Sequence, residues 1–145
     1  MNQTIERIYA NKLFLGIIIR KNHHAKGIEF LTLDEDPMQL GYMNREDDYV
    51  IAPHVHNQVE RSVKFTYETL IVRKGRVRVD FYSDKKEYLE SRIVCTGDCL
   101  MLAQGGHGFK ILEHAEMIEI KQGPYCGVQD KVRFEPVDDD KVVLK

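Results

Sequence analysis

The sequence predicts an all-β fold, and three observations lead to that prediction. Apolar and β-branched residues occur in short runs of about four to eight residues, such as residues 13–20. Turn-forming residues recur roughly every 8–12 residues, which is the spacing of a β-sandwich or barrel. Helical periodicity is absent, except that residues 4–11 favour one short helical turn. A chain of 145 residues is long enough for a single domain, which we expect to span residues 1–145.

The expected elements follow in order along the chain. N-terminal strands are predicted within residues 13–33, and the barrel core is predicted over roughly residues 38–122. A strand at residues 50–56 precedes a strand–turn–strand unit, in which residues 65–72 run outward, 73–76 turn and 77–82 return. Further strands are expected at residues 87–94, 99–103, 108–112 and 117–121, the last two joined by a turn. The short, charged C-terminal tail is expected to fray.

Composition excludes several classes of function. Lys and Arg number 21 and Asp and Glu number 23, and a net charge of −2 argues against a nucleic-acid partner. No apolar run approaches the length of a membrane span, and residues 1–10 lack the apolar stretch of a secretory signal. Three cysteines, an odd number, are typical of reduced thiols. We therefore expect a cytoplasmic protein without a membrane partner.

Three histidines and two glutamates are the candidate chemical groups. His54 and His56 are one residue apart, so on a strand their side chains point to the same face. His107 lies in a glycine-rich turn about fifty residues later, at the start of an apolar run. Imidazole binds transition metals, and a carboxylate would complete such a site. Glu68 is predicted on an internal apolar strand face, where an ionised carboxylate needs a partner or a metal; Glu60 is the competing candidate.

These residues give the chain a resemblance to the cupin superfamily over roughly residues 38–122. The first cupin motif, a histidine pair followed by a glutamate and then a glycine, matches His54, His56, Glu68 and Gly75. The second motif matches Gly97, Asp98, Gly105 and His107, although Ala103 replaces the usual proline and His107 comes one residue early relative to the motif's glycine.

The spacing within the first motif leaves two glutamates in competition. Eleven residues separate His56 from Glu68, where the family usually has three or four. Glu60 satisfies the short spacing but lacks the glycine that should follow. We prefer Glu68, because Gly75 stands at the motif distance from it.

The resemblance implies a jelly-roll barrel that holds one divalent transition metal, namely Mn, Fe, Ni or Zn, on His54, His56, Glu68 and His107. It also implies an enzyme of the isomerase or epimerase type in carbohydrate or surface-polysaccharide metabolism, with a small-molecule substrate such as a sugar or sugar-nucleotide derivative. Glu60 or Tyr67 is the expected general base. A metal-dependent dioxygenase and a non-catalytic carbohydrate-binding module are the alternatives. A homodimer is expected, formed through an edge strand or through exchanged N-terminal strands, and the apolar run at residues 13–19 is the candidate because an exposed edge of that kind is otherwise a liability.

Overall fold

The computed structural model describes residues 3–145; Met1 and Asn2, which the predicted domain includes, lie outside the described residues. Strands contain 45% of the chain and helical turns 4%, which confirms the all-β class. In chain order the strands are β1 Ile5–Ala10, β2 Leu13–Ile19, β3 Gly27–Phe30, β4 Gly41–Asn44, β5 Glu68–Tyr82, β6 Tyr88–Cys95, β7 Cys99–Leu102 and β8 Gly106–Lys121. The expected helical turn at residues 4–11 is wrong, because those residues pair as β1 with β2.

The chain divides into two compact units, and the single domain over residues 1–145 stays a prediction. One unit contains residues 1–23 and 66–145, and the other contains residues 24–65. In the smaller unit β3 and β4 form an antiparallel hairpin, which pairs Gly27 with Asn44 and Phe30 with Gly41. Its connecting loop is closed by the Leu31 amide, which donates to the Leu40 carbonyl at 2.8 Å.

The strand expected at residues 50–56 is wrong. Within the described part of the smaller unit, residues 45–65 form no strand. Val50 and Val55 are 80% and 88% exposed, so this segment has neither a buried face nor a ladder of backbone hydrogen bonds. A strand is stable only when a neighbouring strand binds its backbone and one of its faces packs against other residues.

The larger unit is an antiparallel sheet in the order β1-β2-β7-β5-β6, with β8 also paired to β5. β2 is hydrogen-bonded to β1 on one side and to β7 on the other. The expectation that residues 13–19 form an exposed edge is therefore wrong, because β1 pairs with β2 on the side that was expected to be open. The homodimer stays a prediction.

The turn expected at residues 73–76 is a bend within one strand. β5 runs unbroken from Glu68 to Tyr82 and pairs along its length with β8, which also runs through the turn expected between residues 112 and 117. The register of this ribbon shifts three times between Val72 and Val77. Both halves of β5 contribute to one hydrophobic core, which includes Leu70 and Val79. The two-stranded ribbon is therefore curled, and the sheet forms a half-barrel.

Gly75 lies at the bend and is required there. Its φ of 89° is in the left-handed region that side chains disfavour. A Cβ at this position would lie 2.1 Å from the carbonyl oxygen of His114 on β8. The Gly75 amide donates to Thr96 Oγ1 at 3.0 Å, and the Thr96 amide donates to the Gly75 carbonyl at 3.1 Å. These bonds hold the bend against the turn that joins β6 to β7.

The C-terminal segment is ordered by contacts with β5 and β6, so the expected frayed tail is wrong. The Val137 amide donates to the Tyr82 hydroxyl at 3.0 Å, and the Val143 amide donates to the Tyr88 hydroxyl at 2.8 Å. The Ser91 amide donates to the Val143 carbonyl at 2.8 Å. We call residues 134–145 the C-terminal strap. The prediction failed because it considered only the charge of the tail, whereas its backbone groups find partners on the sheet.

A buried polar network lies near this strap. Asp80, 3% exposed, accepts two hydrogen bonds from the Arg78 guanidinium at 2.7 and 3.0 Å and one from the Ser91 hydroxyl at 2.5 Å. Arg78 also donates to Asp139 of the strap at 2.9 Å. The hydrogen bond to Asp80 is the main cause that raises the pKa of Arg78. Each buried charge in this network therefore has a partner of opposite charge.

We predict that Asp80→Asn lowers the free energy of unfolding by about 3–5 kcal/mol, because it leaves the Arg78 charge buried without its main partner. Urea denaturation measures the change. Asp84→Asn, in an exposed turn, is the matched control and should lie within about 0.5 kcal/mol of the wild type. Equal stability of the two variants would contradict the role given to Asp80.

The pH dependence of stability should report on Glu90. Burial opposes ionisation of this carboxyl, but hydrogen bonds from Lys145 and Arg92 outweigh it and hold its pKa below the ordinary value of 4.5. A lowered pKa stabilises the fold above pH 4.5, and this stabilisation is lost as the pH falls through the folded-state value. We predict that Glu90→Gln destabilises the protein at pH 7 and that the difference from wild type shrinks below pH 4.5. Urea titrations at several pH values measure the free energy of unfolding. A difference between Glu90→Gln and wild type that stays constant with pH would contradict the prediction. Glu135→Gln changes an exposed carboxyl and is the control.

Gly75→Ala should destabilise the larger unit by roughly 1–3 kcal/mol, because it places a side chain in a left-handed conformation and against the backbone of β8. Gly108→Ala is the control from the same ribbon, since its Cβ would meet only Tyr82, at 3.8 Å. Thermal unfolding compares the two variants. If Gly75→Ala were as stable as Gly108→Ala, the bend would not depend on glycine.

Candidate functional site

Glu68 is the first residue of β5 and lies on its buried face. Its direct cross-strand neighbours are Leu102 of β7 and Lys121 of β8, and Leu70 follows on the same face. The residue is only 7% exposed. The position expected for Glu68, on an apolar internal face, is therefore confirmed.

His107 lies at the opposite end of the ribbon, yet it contacts Glu68 directly. It is the second residue of β8 and pairs with Phe81, thirteen residues along β5 from Glu68. In a straight ribbon that separation would be about 40 Å. In the curled ribbon His107 Nε2 lies 2.5 Å from Glu68 Oε1. The bend at Gly75 therefore creates this pair by bringing the two ends of β5 and β8 together.

Glu68 is ionised although it is buried. Desolvation of the carboxyl raises its pKa, but the hydrogen bond from His107, its electrostatic interaction with Glu68 and the charges of Lys131 and Lys121 outweigh that effect. The pKa of Glu68 is held below its ordinary value as a result. The carboxylate is available as a metal ligand or as an acceptor of a proton or hydrogen bond.

The wall beside this pair is apolar and partly open. Phe109 and Ile111 lie on the face of β8 that carries His107, and they are 38% and 51% exposed. Their partners on β5, Val79 and Val77, are fully buried. The His107 and Phe109 rings are 5.5 Å apart. A small molecule could therefore contact an apolar surface and the His107–Glu68 pair together.

His54 and His56 lie in the smaller unit, in the exposed segment that forms no strand. Their rings are nonetheless close, with centroids 5.2 Å apart and planes inclined by 79°. His54 Nδ1 lies 3.0 Å from the carbonyl oxygen of Ala52. A carbonyl only accepts, so Nδ1 carries the proton, and in the neutral ring Nε2 retains the lone pair that binds metals.

The structure thus brings the predicted metal ligands together as two pairs, one in each unit. Within residues 3–145, no three side chains of His, Cys, Asp or Glu form a metal-binding group. The predicted bases differ in accessibility, because Glu60 is exposed and Tyr67 is 2% exposed. The four-ligand site and the two bases stay predictions.

Two lysines whose charges lower the pKa of Glu68, Lys121 and Lys131, were not predicted from the sequence. Lys121 Nζ lies 3.3 Å from Asp130 Oδ2 and 5.7 Å from the centroid of the Tyr125 ring. Lys131 follows Asp130 directly. Lys121 shares the face of His107 because β8 is one continuous strand, and the turn expected between residues 112 and 117 concealed that common phase. No sequence signal placed Lys131, which lies in a segment without strand or helix.

Two cavities in the larger unit lie at other positions. The first, of about 620 Å³, is lined by charged residues that include Arg20 and Arg92. Both arginines are paired, since Arg20 contacts Glu6 and Asp98 and Arg92 contacts Glu6. These contacts make that cavity a satisfied charge network.

The second cavity, of about 380 Å³, lies between the sheet and the C-terminal strap and is lined by Arg78 and Asp139. Arg78 is paired there with Asp139 and Asp80. This cavity therefore belongs to the network that holds the strap.

Comparison of the chain with protein-family models, with curated proteins and with solved structures found no match.

No helix in the described part of the chain is long and apolar enough to cross a bilayer.

Proposed function

We propose that the chain is a metal-dependent enzyme with a cupin-type jelly-roll fold, acting on a small oxygenated molecule such as a sugar or sugar-nucleotide derivative. One observation carries the proposal: an ionised, buried carboxylate and an imidazole meet on the face of a half-barrel that also carries its hydrophobic core. An apolar surface beside a few converging polar groups is typical of small-molecule sites.

The jelly-roll part of the proposal is supported by the way the sheet curls. One half of β5 pairs with β7 and the other half pairs with β6, while β8 pairs with both halves. A single two-stranded ribbon therefore joins the two parts of the curled sheet around one core. Wrapping of this kind is how an antiparallel sheet builds a jelly roll.

The donor set supports a divalent transition metal. Glu68 would supply a carboxylate, and His107, His54 and His56 would supply imidazoles, which together suit Mn, Fe, Ni or Zn. At His107 the metal would replace the proton that Nε2 donates to Glu68. The Nε2 lone pair of His54 is free of intramolecular hydrogen bonds among those described, because Nδ1 makes the bond to Ala52. When bound, such a metal acts as a Lewis acid towards a carbonyl or hydroxyl oxygen of the substrate.

The protein residues have separate tasks in an isomerisation or epimerisation. Glu68 remains ionised, so it holds positive charge at the site. Phe109 and Ile111 offer an apolar surface to the carbon skeleton of the substrate. Proton abstraction beside a carbonyl needs a base, and Glu60 is the more accessible of the two expected bases, since Tyr67 is buried.

Metal analysis tests the proposal. Protein purified without a histidine tag should hold close to one transition metal per chain after equilibration with Mn, Fe, Ni or Zn, as measured by elemental mass spectrometry. Glu68→Gln, His107→Ala and the double variant His54→Ala/His56→Ala should each weaken metal binding by about tenfold or more, because each removes a ligand.

Two variants serve as controls for this experiment. His114→Ala removes an exposed histidine from the same strand as His107 and should retain the metal. Glu60→Gln should retain more metal than Glu68→Gln; the reverse order would make Glu60 the carboxylate ligand. A wild-type chain that binds none of the four metals would overturn the proposed function. Turnover by the metal-loaded protein is then measured with a panel of nucleotide sugars.

A further inference from the structure

We propose that two copies of the chain associate through β8, which pairs antiparallel with the same strand of the partner about a two-fold axis. The proposal goes beyond the metal site, because it assigns an interaction surface and names a second copy of this chain as its occupant. Two features of β8 support it, namely an open backbone edge and a sequence whose charged and apolar residues match its own reverse.

β8 has the longest open edge of the sheet. Across residues 3–145 it pairs with β5 alone, and no other described backbone hydrogen bond involves residues 106–121. The outer strands at the two ends of the sheet differ from it, since β1 has only six residues and β6 is bonded to the C-terminal strap at Ser91. β8 has sixteen residues and no proline. A long open edge of this kind is a template for a further strand.

β8 also exposes apolar side chains on both of its faces. None of its sixteen residues is buried. Five large apolar side chains are each between 38% and 51% exposed, namely Phe109, Ile111, Leu112, Ile118 and Ile120. A strand that pairs with the open edge would lay its own side chains beside them on both faces. Pairing therefore removes apolar surface from water while it adds backbone hydrogen bonds.

The two-fold axis limits the registers in which β8 can pair with its own copy. One residue lies opposite itself, and residues equally distant from it on either side face each other across the pair. With Glu113 at the axis, Lys110 lies opposite the partner's Glu116, and Phe109 lies opposite the partner's Met117. Because of the symmetry, each of these contacts occurs twice in the dimer.

Registers centred one residue earlier or later lose this match. With Leu112 at the axis, Lys110 faces a histidine, His114, instead of a carboxylate. With His114 at the axis, Lys110 faces the apolar Ile118. Cross-strand pairs of opposite charge and pairs of apolar side chains stabilise a sheet, whereas mixed pairs do not. The sequence of β8 therefore selects the register centred on Glu113.

The same register decides what lies at the axis and beside the candidate site. At the axis Glu113 faces its own copy, which is unfavourable. Arg76 of the same chain lies 3.8 Å from Glu113 and offsets part of that repulsion. On the inner face His107 lies opposite the partner's Glu119. The second copy therefore adds a carboxylate beside the His107–Glu68 pair.

Charge reversal tests the register. Sedimentation velocity of the wild-type chain should show a species of twice the chain mass, whose share grows with concentration up to about 100 µM. Lys110→Glu and Glu116→Lys should each weaken dimerisation about tenfold, because two opposite-charge pairs per dimer become like-charge pairs. The double variant Lys110→Glu/Glu116→Lys should restore most of the affinity. Lys85→Glu, in the exposed turn before β6, is the matched control and should dimerise like the wild type.

The double variant also separates pairing from folding. Lys110 contacts Asp139 of the strap, so the single and the double variant lose that contact equally. Rescue by the added Glu116→Lys change then reports on the interface alone. Hydrogen exchange of the wild type is a second measurement, in which amides within residues 106–121 should exchange more slowly as the concentration rises.

A wild-type chain that stays monomeric at about 100 µM overturns the inference. Dimerisation that neither single reversal weakens, or that the double variant does not restore, also overturns it, as does hydrogen exchange in β8 that is independent of concentration. None of these measurements depends on a bound metal, so failure of the proposed function would leave the dimer interface standing.

Discussion

The bend in the β5–β8 ribbon is the constraint on which the rest of the structure depends. Without it, Glu68 and His107 would lie at opposite ends of two long paired strands. With it, the two halves of β5 face one core, and the two side chains meet at 2.5 Å. Gly75 makes the bend sterically possible, because both its φ and the nearby backbone of His114 exclude a side chain. Fold and candidate site therefore share one cause.

The outer face of the curled sheet is stabilised by different interactions from the inner one. The inner face buries aliphatic residues such as Val72 and Val79. On the other face Asp80 and Arg78 are buried as a hydrogen-bonded pair, and Asp139 of the C-terminal strap adds a further contact to Arg78. Alternation along one strand explains this division, since even and odd positions of residues 77–82 point to opposite sides. The strap thus secures the half of the ribbon that carries His107.

The sequence was sufficient for the parts of the fold that depend on local pattern. Alternation along residues 68–72 predicted that Glu68 faces inward, and the distance from Glu68 to Gly75 marked the glycine correctly as a special position. Local pattern did not distinguish a hairpin turn from a bend, because both need a glycine with positive φ. The choice depends on whether β5 pairs with its own continuation or with β8, and that pairing is non-local.

Two further predictions, the strand at residues 50–56 and the frayed C-terminal tail, were wrong because they also depended on non-local pairing. The apolar residues within 50–56 are typical of a strand. A strand forms only when a neighbouring strand pairs with it, and no described residues of the smaller unit pair with this segment. The charged residues 138–141 resemble a frayed end, but their backbone lies within a segment that is anchored at Val137 and Val143. Charge and hydropathy indicate which local structure and degree of exposure a segment favours. Whether its backbone finds hydrogen-bond partners depends on residues far away in the sequence.

The long gap before Glu68 has a physical meaning in this arrangement. A histidine pair on a strand adjacent to the glutamate can be close in sequence, because strand geometry positions both. Here His54 and His56 lie on a segment without strand structure, and eleven residues separate His56 from Glu68. Glu68 and His107 are therefore the two predicted ligands that the larger unit brings into contact by itself, whereas His54 and His56 are brought together by the smaller unit.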